Sequence, residues 1–106
     1  MTIIKNIDDE ILTKLEKTYY ELNMRSHIIE RLIDLHSEDK EFINSPLFKK
    51  YEEQYCEAYI AYETIKNLFN DYLKEILMNE DALICENFNW KIQSFSLNTV
   101  RIDIND

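Results

Sequence analysis

The sequence predicts an α-rich α+β fold, in which a long antiparallel helical hairpin is followed by a small C-terminal β-hairpin. Two long segments place apolar residues at alternating spacings of three and four, which is the pattern of one helix face. The last 20 residues instead alternate apolar and polar side chains, which is typical of strands. The chain also has no glycine and one proline, a composition that favours helices.

Residues 8–36 are predicted to form the first helix. Asp8, Asp9 and Glu10 place negative charge at its start, where the helix dipole is positive. Residues 1–7, which carry Ile3, Ile4 and Ile7, are expected to form a short extended arm before it. The seam of this helix has one small interruption, at Ser26, and it consists of Leu12, Leu15, Tyr19, Leu22, Ser26, Ile29, Ile33 and His36.

Residues 46–77 are predicted to form the second helix, after a polar break at 37–45. Ser45 supplies a capping side chain, and Pro46 suits the first turn of a helix. The seam of this helix is rich in tyrosine and consists of Phe48, Tyr51, Tyr55, Ala58, Tyr62, Ile65, Phe69, Tyr72 and Ile76. Residues 79–86 are predicted to be a short helix or an extension of the second helix.

Residues 88–104 are predicted to form the β-hairpin. Keeping the apolar side chains on one face pairs Ile92 with Ile102 and Trp90 with Ile104. That register leaves a loop of residues 96–98, and Asn98 falls where a left-handed backbone is needed, which asparagine tolerates. Because a two-stranded ribbon is marginal in water, its apolar face must cover the helices or its edge must pair with another chain.

The length of 106 residues predicts a single domain over 1–106. Two helices with such long seams bury little by themselves, and further apolar rows widen both faces. We therefore expect a homodimer in which two helical hairpins form a four-helix bundle. The residues of these further rows are Ile28, Leu32, Leu35, Cys56 and Ile60.

The composition of the chain disfavours several classes of function. The formal charge of −9 disfavours direct binding of nucleic acid, whose phosphates require Lys and Arg contacts. The absence of glycine removes the phosphate-binding loops that need close backbone approach. Cys56 and Cys85 fit neither a metal pair nor a disulfide framework and are expected to be small buried residues in a reducing compartment. With no secretory signal and no apolar run long enough for a bilayer, we expect a cytoplasmic protein without membrane contact.

The second helix carries the candidate partner-binding surface in its N-terminal half. Tyrosine offers large contact area with a polar tip, and glutamates are interleaved with these rings. Trp90 is a further candidate, because tryptophan is enriched at interface hot spots. The alternative is that the rings only flank the bundle seam, that the glutamates are a solvated face and that Trp90 seals the bundle end. The residues proposed on the second helix are Tyr51, Glu52, Tyr55, Tyr59, Tyr62 and Glu63.

Catalytic and metal chemistry have no local motif in this sequence. His27 and His36 lie on opposite sides of one helix, so they do not bind one metal together. His36, near the helix end, is expected to interact with the terminal carbonyls. No serine or cysteine nucleophile has a base at a recognisable spacing. We expect no enzyme activity, no metal and no cofactor.

Three functions fit these features. The leading one is an acidic protein-binding module, an inhibitor or accessory factor that docks on a basic nucleic-acid-binding partner, as small acidic anti-CRISPR proteins do by imitating nucleic-acid charge. The second is a structural or assembly component, such as a small phage or bacterial oligomer-forming protein. The third is a helical bundle that senses a small ligand or nucleotide through its tyrosines.

Overall fold

The computed structural model describes residues 1–80 and 88–104, and it confirms a mainly α class with a small antiparallel sheet. About two thirds of the described residues are helical. The elements in chain order are β1 (Thr2–Asn6), α1 (Glu10–Leu35), α2 (Lys40–Ile43), α3 (Pro46–Glu80), β2 (Phe88–Ser94) and β3 (Thr99–Ile104).

The chain divides into two compact units, and the single domain over 1–106 stays a prediction. Unit 1 combines Met1–Glu16 with Ile65–Asp106, and unit 2 is Lys17–Thr64. Both long helices contribute residues to each unit.

Helix α1 begins at Glu10 because Asp9 caps it. The Asp9 carboxylate accepts a hydrogen bond from the Ile11 backbone N–H at 3.0 Å, which satisfies one of the helix's free donors. Leu12 and Leu15 in its first two turns are buried. The helix ends at Leu35, where the sequence predicts an end at residue 36.

Helix α3 begins at Pro46, as the sequence predicts, and Ser45 caps it by accepting the Phe48 N–H at 3.2 Å. It continues to Glu80, so residues 79–80 extend this helix rather than begin another. The rest of the predicted 79–86 element lies outside the described residues. The predicted polar break at 37–45 contains the one-turn helix α2, in which Asp39 accepts the Phe42 N–H at 3.1 Å.

The predicted β-hairpin is present as β2 and β3, and the N-terminal segment, predicted as an extended arm, adds β1 as a third strand. The strand order is β1-β3-β2, and β3 pairs antiparallel with both neighbours. On the β1 side, Ile3 lies opposite Ile102. The β-branched N-terminal segment thus supplies the edge partner that a lone ribbon needs.

The predicted register of β2 and β3 is wrong by two residues. Trp90 pairs with Ile102 rather than Ile104, and Ile92 pairs with Val100 rather than Ile102. An irregularity between Ile92 and Ser94 and a connection of residues 95–98 account for the shift. Because side chains alternate with a period of two, a shift of two keeps the same residues on the buried face.

Asn98 has φ of 53°, which confirms the predicted left-handed residue in this turn. Its carbonyl oxygen accepts the Ile7 N–H at 2.7 Å, so the turn is tied to the end of β1.

The apolar core is concentrated in unit 1. Its buried side chains come from the sheet, the start of α1 and the C-terminal half of α3: Ile7, Leu12, Leu15, Phe69, Leu73, Leu77, Val100, Ile102 and Ile104. Among the described residues of unit 2, only Phe48 and Ala58 reach the same degree of burial. Unit 2 therefore keeps much apolar surface at its exterior.

Candidate protein-binding surface

Six of the seven predicted site residues lie on α3 within unit 2, but the structure places them on different sides of the helix. Tyr59 and Glu52 are exposed. The other four are half-buried, namely Tyr51, Tyr55, Tyr62 and Glu63. The predicted residues thus divide between the interior of unit 2 and its exterior.

Trp90, the seventh predicted residue, lies on β2 in unit 1. Its indole Nε1–H donates to Asn70 Oδ1 at 3.1 Å, and its ring meets the Phe69 ring edge-on with centroids 4.9 Å apart. These contacts engage Trp90 in the packing of unit 1. The candidate surface therefore lies in unit 2 alone.

Contacts between α1 and α3 explain which tyrosines are half-buried. The rings of Tyr19 and Tyr62 lie 6.0 Å apart, and Arg25 Nη1 donates to Gln54 Oε1 at 3.0 Å. These contacts define the inner side of α3 in unit 2. Burial raises the pKa of the Tyr62 phenol, and the nearby Glu63 and Tyr19 raise it further.

The opposite side of α3 carries an open, shallow depression between acidic and apolar side chains, with a volume of about 460 Å³. At about 100° per residue, its central positions lie across the helix from Gln54 and Tyr62. We call its six residues the α3 strip: Lys49, Glu52, Glu53, Cys56, Glu57 and Ile60. Ile60 is 65% exposed, so this strip combines an apolar centre with a rim of carboxylates.

The carboxylates of the α3 strip are not neutralised by any residue that the structure describes. Within residues 1–80 and 88–104, none of Glu52, Glu53 and Glu57 forms an ion pair. A second depression of about 350 Å³ adjoins the strip and adds Tyr55 and Tyr59 to Cys56 and Ile60. One exposed tyrosine therefore borders the acidic strip.

Cys56 is exposed, so the prediction of a buried cysteine is wrong for this residue. It falls outside the α3 seam, on the side of the helix that faces water, and its thiol is free. Cys85 lies outside the described residues. The signal for the strip was present in the sequence as the apolar pair Cys56 and Ile60, spaced by four residues, but the sequence did not show that this row faces outward.

The histidines lie in separate surroundings. His27 Nδ1 is 3.8 Å from Glu30 Oε2 at the surface of α1. The His36 ring stacks on the Phe42 ring at 3.8 Å, a contact not anticipated by the prediction that His36 binds the terminal carbonyls. In the part of the chain that the structure describes, no three His, Cys, Asp or Glu residues are grouped so as to hold a metal ion.

No protein-family model, curated protein or solved structure matches this chain. None of the described helices combines the length and the apolar character needed to cross a membrane.

Proposed function

We propose that this protein is a non-enzymatic binding module whose α3 strip docks on a basic protein surface. The observation that carries this proposal is the exposed apolar centre at Cys56 and Ile60, within a rim of carboxylates that form no ion pair among the described residues. An apolar centre supplies contact free energy, and the charged rim supplies orientation and association rate. Tyr59 at the border adds an aromatic side chain of the kind enriched in interfaces.

A nucleic-acid-binding protein is the class of partner that best fits this strip. Its phosphate-binding surface is rich in Lys and Arg, which complement Glu52, Glu53 and Glu57. The overall charge of −9 steers the module toward such a surface and away from the nucleic acid itself. By occupying that surface, the module would act as an inhibitor or accessory factor.

We also propose that α1 and α3 form an antiparallel helical hairpin within unit 2. The two cross-helix contacts support this, because the α1 residue advances from Tyr19 to Arg25 while the α3 residue falls back from Tyr62 to Gln54. A hairpin of two helices leaves each helix with an outer side. That geometry supports self-association, in which two copies bring four helices together as a homodimer.

We place the module in the cytoplasm. The free, exposed thiol of Cys56 supports this compartment, because reducing conditions keep such thiols unpaired.

Affinity capture from the source cells tests the proposed function. We expect the native chain to retain basic proteins, and these proteins to be lost with the triple substitution Glu52→Lys, Glu53→Lys and Glu57→Lys. They should also be released as salt rises from about 0.1 M to 1 M, because the screening length falls from about 10 Å to about 3 Å.

A matched control changes three exposed acidic residues elsewhere: Glu38→Lys, Asp71→Lys and Glu75→Lys. It alters the net charge of the chain by the same amount, so it should retain the captured proteins. Capture that is unaffected by the strip substitutions, or equally reduced by the control, would contradict the proposal.

A further inference from the structure

The outer side of α1 in unit 2 carries a second exposed row, which we call the α1 strip: Lys17, Tyr20, Met24, Arg31 and Leu35. All five are exposed. At about 100° per residue these positions fall within about 60° of one another around the helix. They lie across α1 from Tyr19 and Arg25, which both contact α3.

The charge of the α1 strip is opposite to that of the α3 strip. Lys17 and Arg31 form no ion pair with any residue that the structure describes. The carboxylates of Glu16, Glu21 and Asp34 lie about 40° outside the strip around the helix, and Glu21 is already engaged by Arg25 at 3.0 Å. The strip thus combines three large apolar side chains with two cations that form no ion pair among the described residues.

We infer that the α1 strip of one copy docks on the α3 strip of a second copy. This inference rests on the proposed function, since it assigns an occupant to the same acidic surface. The spacings match: Met24 and Arg31 are seven residues apart, and so are Ile60 and Glu53. With the two helices antiparallel, Met24 packs on Ile60 and Arg31 reaches Glu53, two helical turns away.

The contact is head-to-tail, because it joins two different surfaces of the chain. Each dimer therefore keeps one α1 strip and one α3 strip available, and the assembly grows with concentration unless its rotation closes a ring. A foreign basic protein at the α3 strip displaces the second copy. Self-association and partner binding accordingly compete.

Sedimentation of the full chain over a range of concentrations tests this contact. One variant reverses the charge at the α1 end of this pair (Arg31→Glu), and another reverses it at the α3 end (Glu53→Lys). We expect each variant alone to associate at least about threefold more weakly than the native chain, because the attractive pair becomes repulsive. An equal mixture of the two variants should associate again, because each reversed strip then meets a complementary one.

A control variant, Lys40→Glu, changes the net charge by the same amount as Arg31→Glu but at an exposed residue outside both strips. It should associate like the native chain. A native chain that stays monomeric at hundreds of micromolar, variants that associate normally, or a mixture that fails to recover would each overturn the inference.

The two proposals fail separately, because sedimentation contains no other protein. A chain that captures basic proteins through the α3 strip yet remains monomeric overturns the self-docking alone. A chain whose self-association follows the strip charges yet captures no basic protein overturns the proposed function alone.

Discussion

Phe69 is the most deeply enclosed side chain in the aromatic part of unit 1. It is fully buried, and its ring lies 4.9 Å from that of Trp90 and 6.3 Å from that of Tyr72. Its neighbour Leu68 points outward and is 52% exposed. Position 69 of α3 thus belongs to the core, whereas position 68 faces solvent.

We expect Phe69→Ala to lower the free energy of unfolding by about 3–5 kcal/mol, through lost apolar burial and the cavity left behind. Leu68→Ala, the matched control, should change it by less than about 1 kcal/mol. Urea denaturation measures both. Equal losses for the two variants would contradict this assignment of the core.

Asn98 adopts a left-handed backbone conformation, which is strained for residues other than glycine, asparagine and aspartate. Asn98→Gly should leave stability nearly unchanged, whereas Asn98→Val should cost about 1–2 kcal/mol. Thermal unfolding distinguishes the two substitutions. If valine were tolerated as well as glycine, this backbone conformation would not be required.

Tyr72 gives unit 1 a dependence on alkaline pH. Burial raises the pKa of its phenol above the ordinary 10.0, and the carboxylates of Asp9 and Glu75 raise it further. Because the folded-state pKa is the higher one, the stabilisation is fully present below about pH 10 and is lost as pH rises through the folded-state pKa. Tyr72→Phe should show a smaller loss of stability between neutral and strongly alkaline pH, measured by urea denaturation at each pH. An identical loss would exclude this contribution.

Among the elements, α3 has the most clearly defined beginning. Ser45 accepts the Phe48 N–H, and Pro46 follows in the first turn, where its missing donor costs nothing. Ser45→Ala should therefore cost about 0.5–2 kcal/mol in unfolding free energy, measured by urea denaturation. Ser37→Ala, at an exposed position beyond the end of α1, should have little effect. A similar loss for both would argue against the cap.

The same local chemistry explains why the helices were predictable. Periodic apolar residues, Asp9 and Ser45 all act over one or two turns, and sequence alone places the helix ends within three residues of those observed. The sheet depends on longer-range pairing. The Ile3–Ile102 pair joins opposite ends of the chain. No local pattern within the five residues of β1 predicts which strand they pair with.

At the scale of the whole molecule, burial is uneven between the two units. Most of the buried apolar side chains belong to unit 1, while unit 2 has Phe48 and Ala58 among its described residues. Fewer buried contacts imply easier local opening.

Hydrogen exchange should therefore show slower amide exchange at residues 65–77 of α3 than at residues 50–62 of the same helix. The comparison within one helix controls for secondary structure. At concentrations where copies associate, protection of residues 50–62 should increase, because docking covers the α3 strip. Uniform protection along α3 in the dilute chain would contradict the difference between the units.

The candidate site was only partly predictable for a related reason. The sequence identified the N-terminal half of α3. It also identified Glu52, which belongs to the α3 strip, and Tyr59, which lies at the border of the strip. It also grouped with them Tyr62, which contacts Tyr19, and it assigned Cys56 to the interior. Periodicity shows that a helix has distinct faces. It does not show which face a neighbouring helix covers.

The sequence by itself determined the mainly helical class, the extents of α1 and α3, and the left-handed turn at Asn98. These features depend on spacing, capping and backbone sterics among residues close in the chain. Only the tertiary structure decided that β1 joins the sheet, that β2 and β3 pair two residues away from the simplest register, and that Cys56 and Ile60 face outward among glutamates. Those outcomes depend on which distant segments pair with each other and which apolar surfaces they cover. Such long-range contacts form only when the whole chain packs.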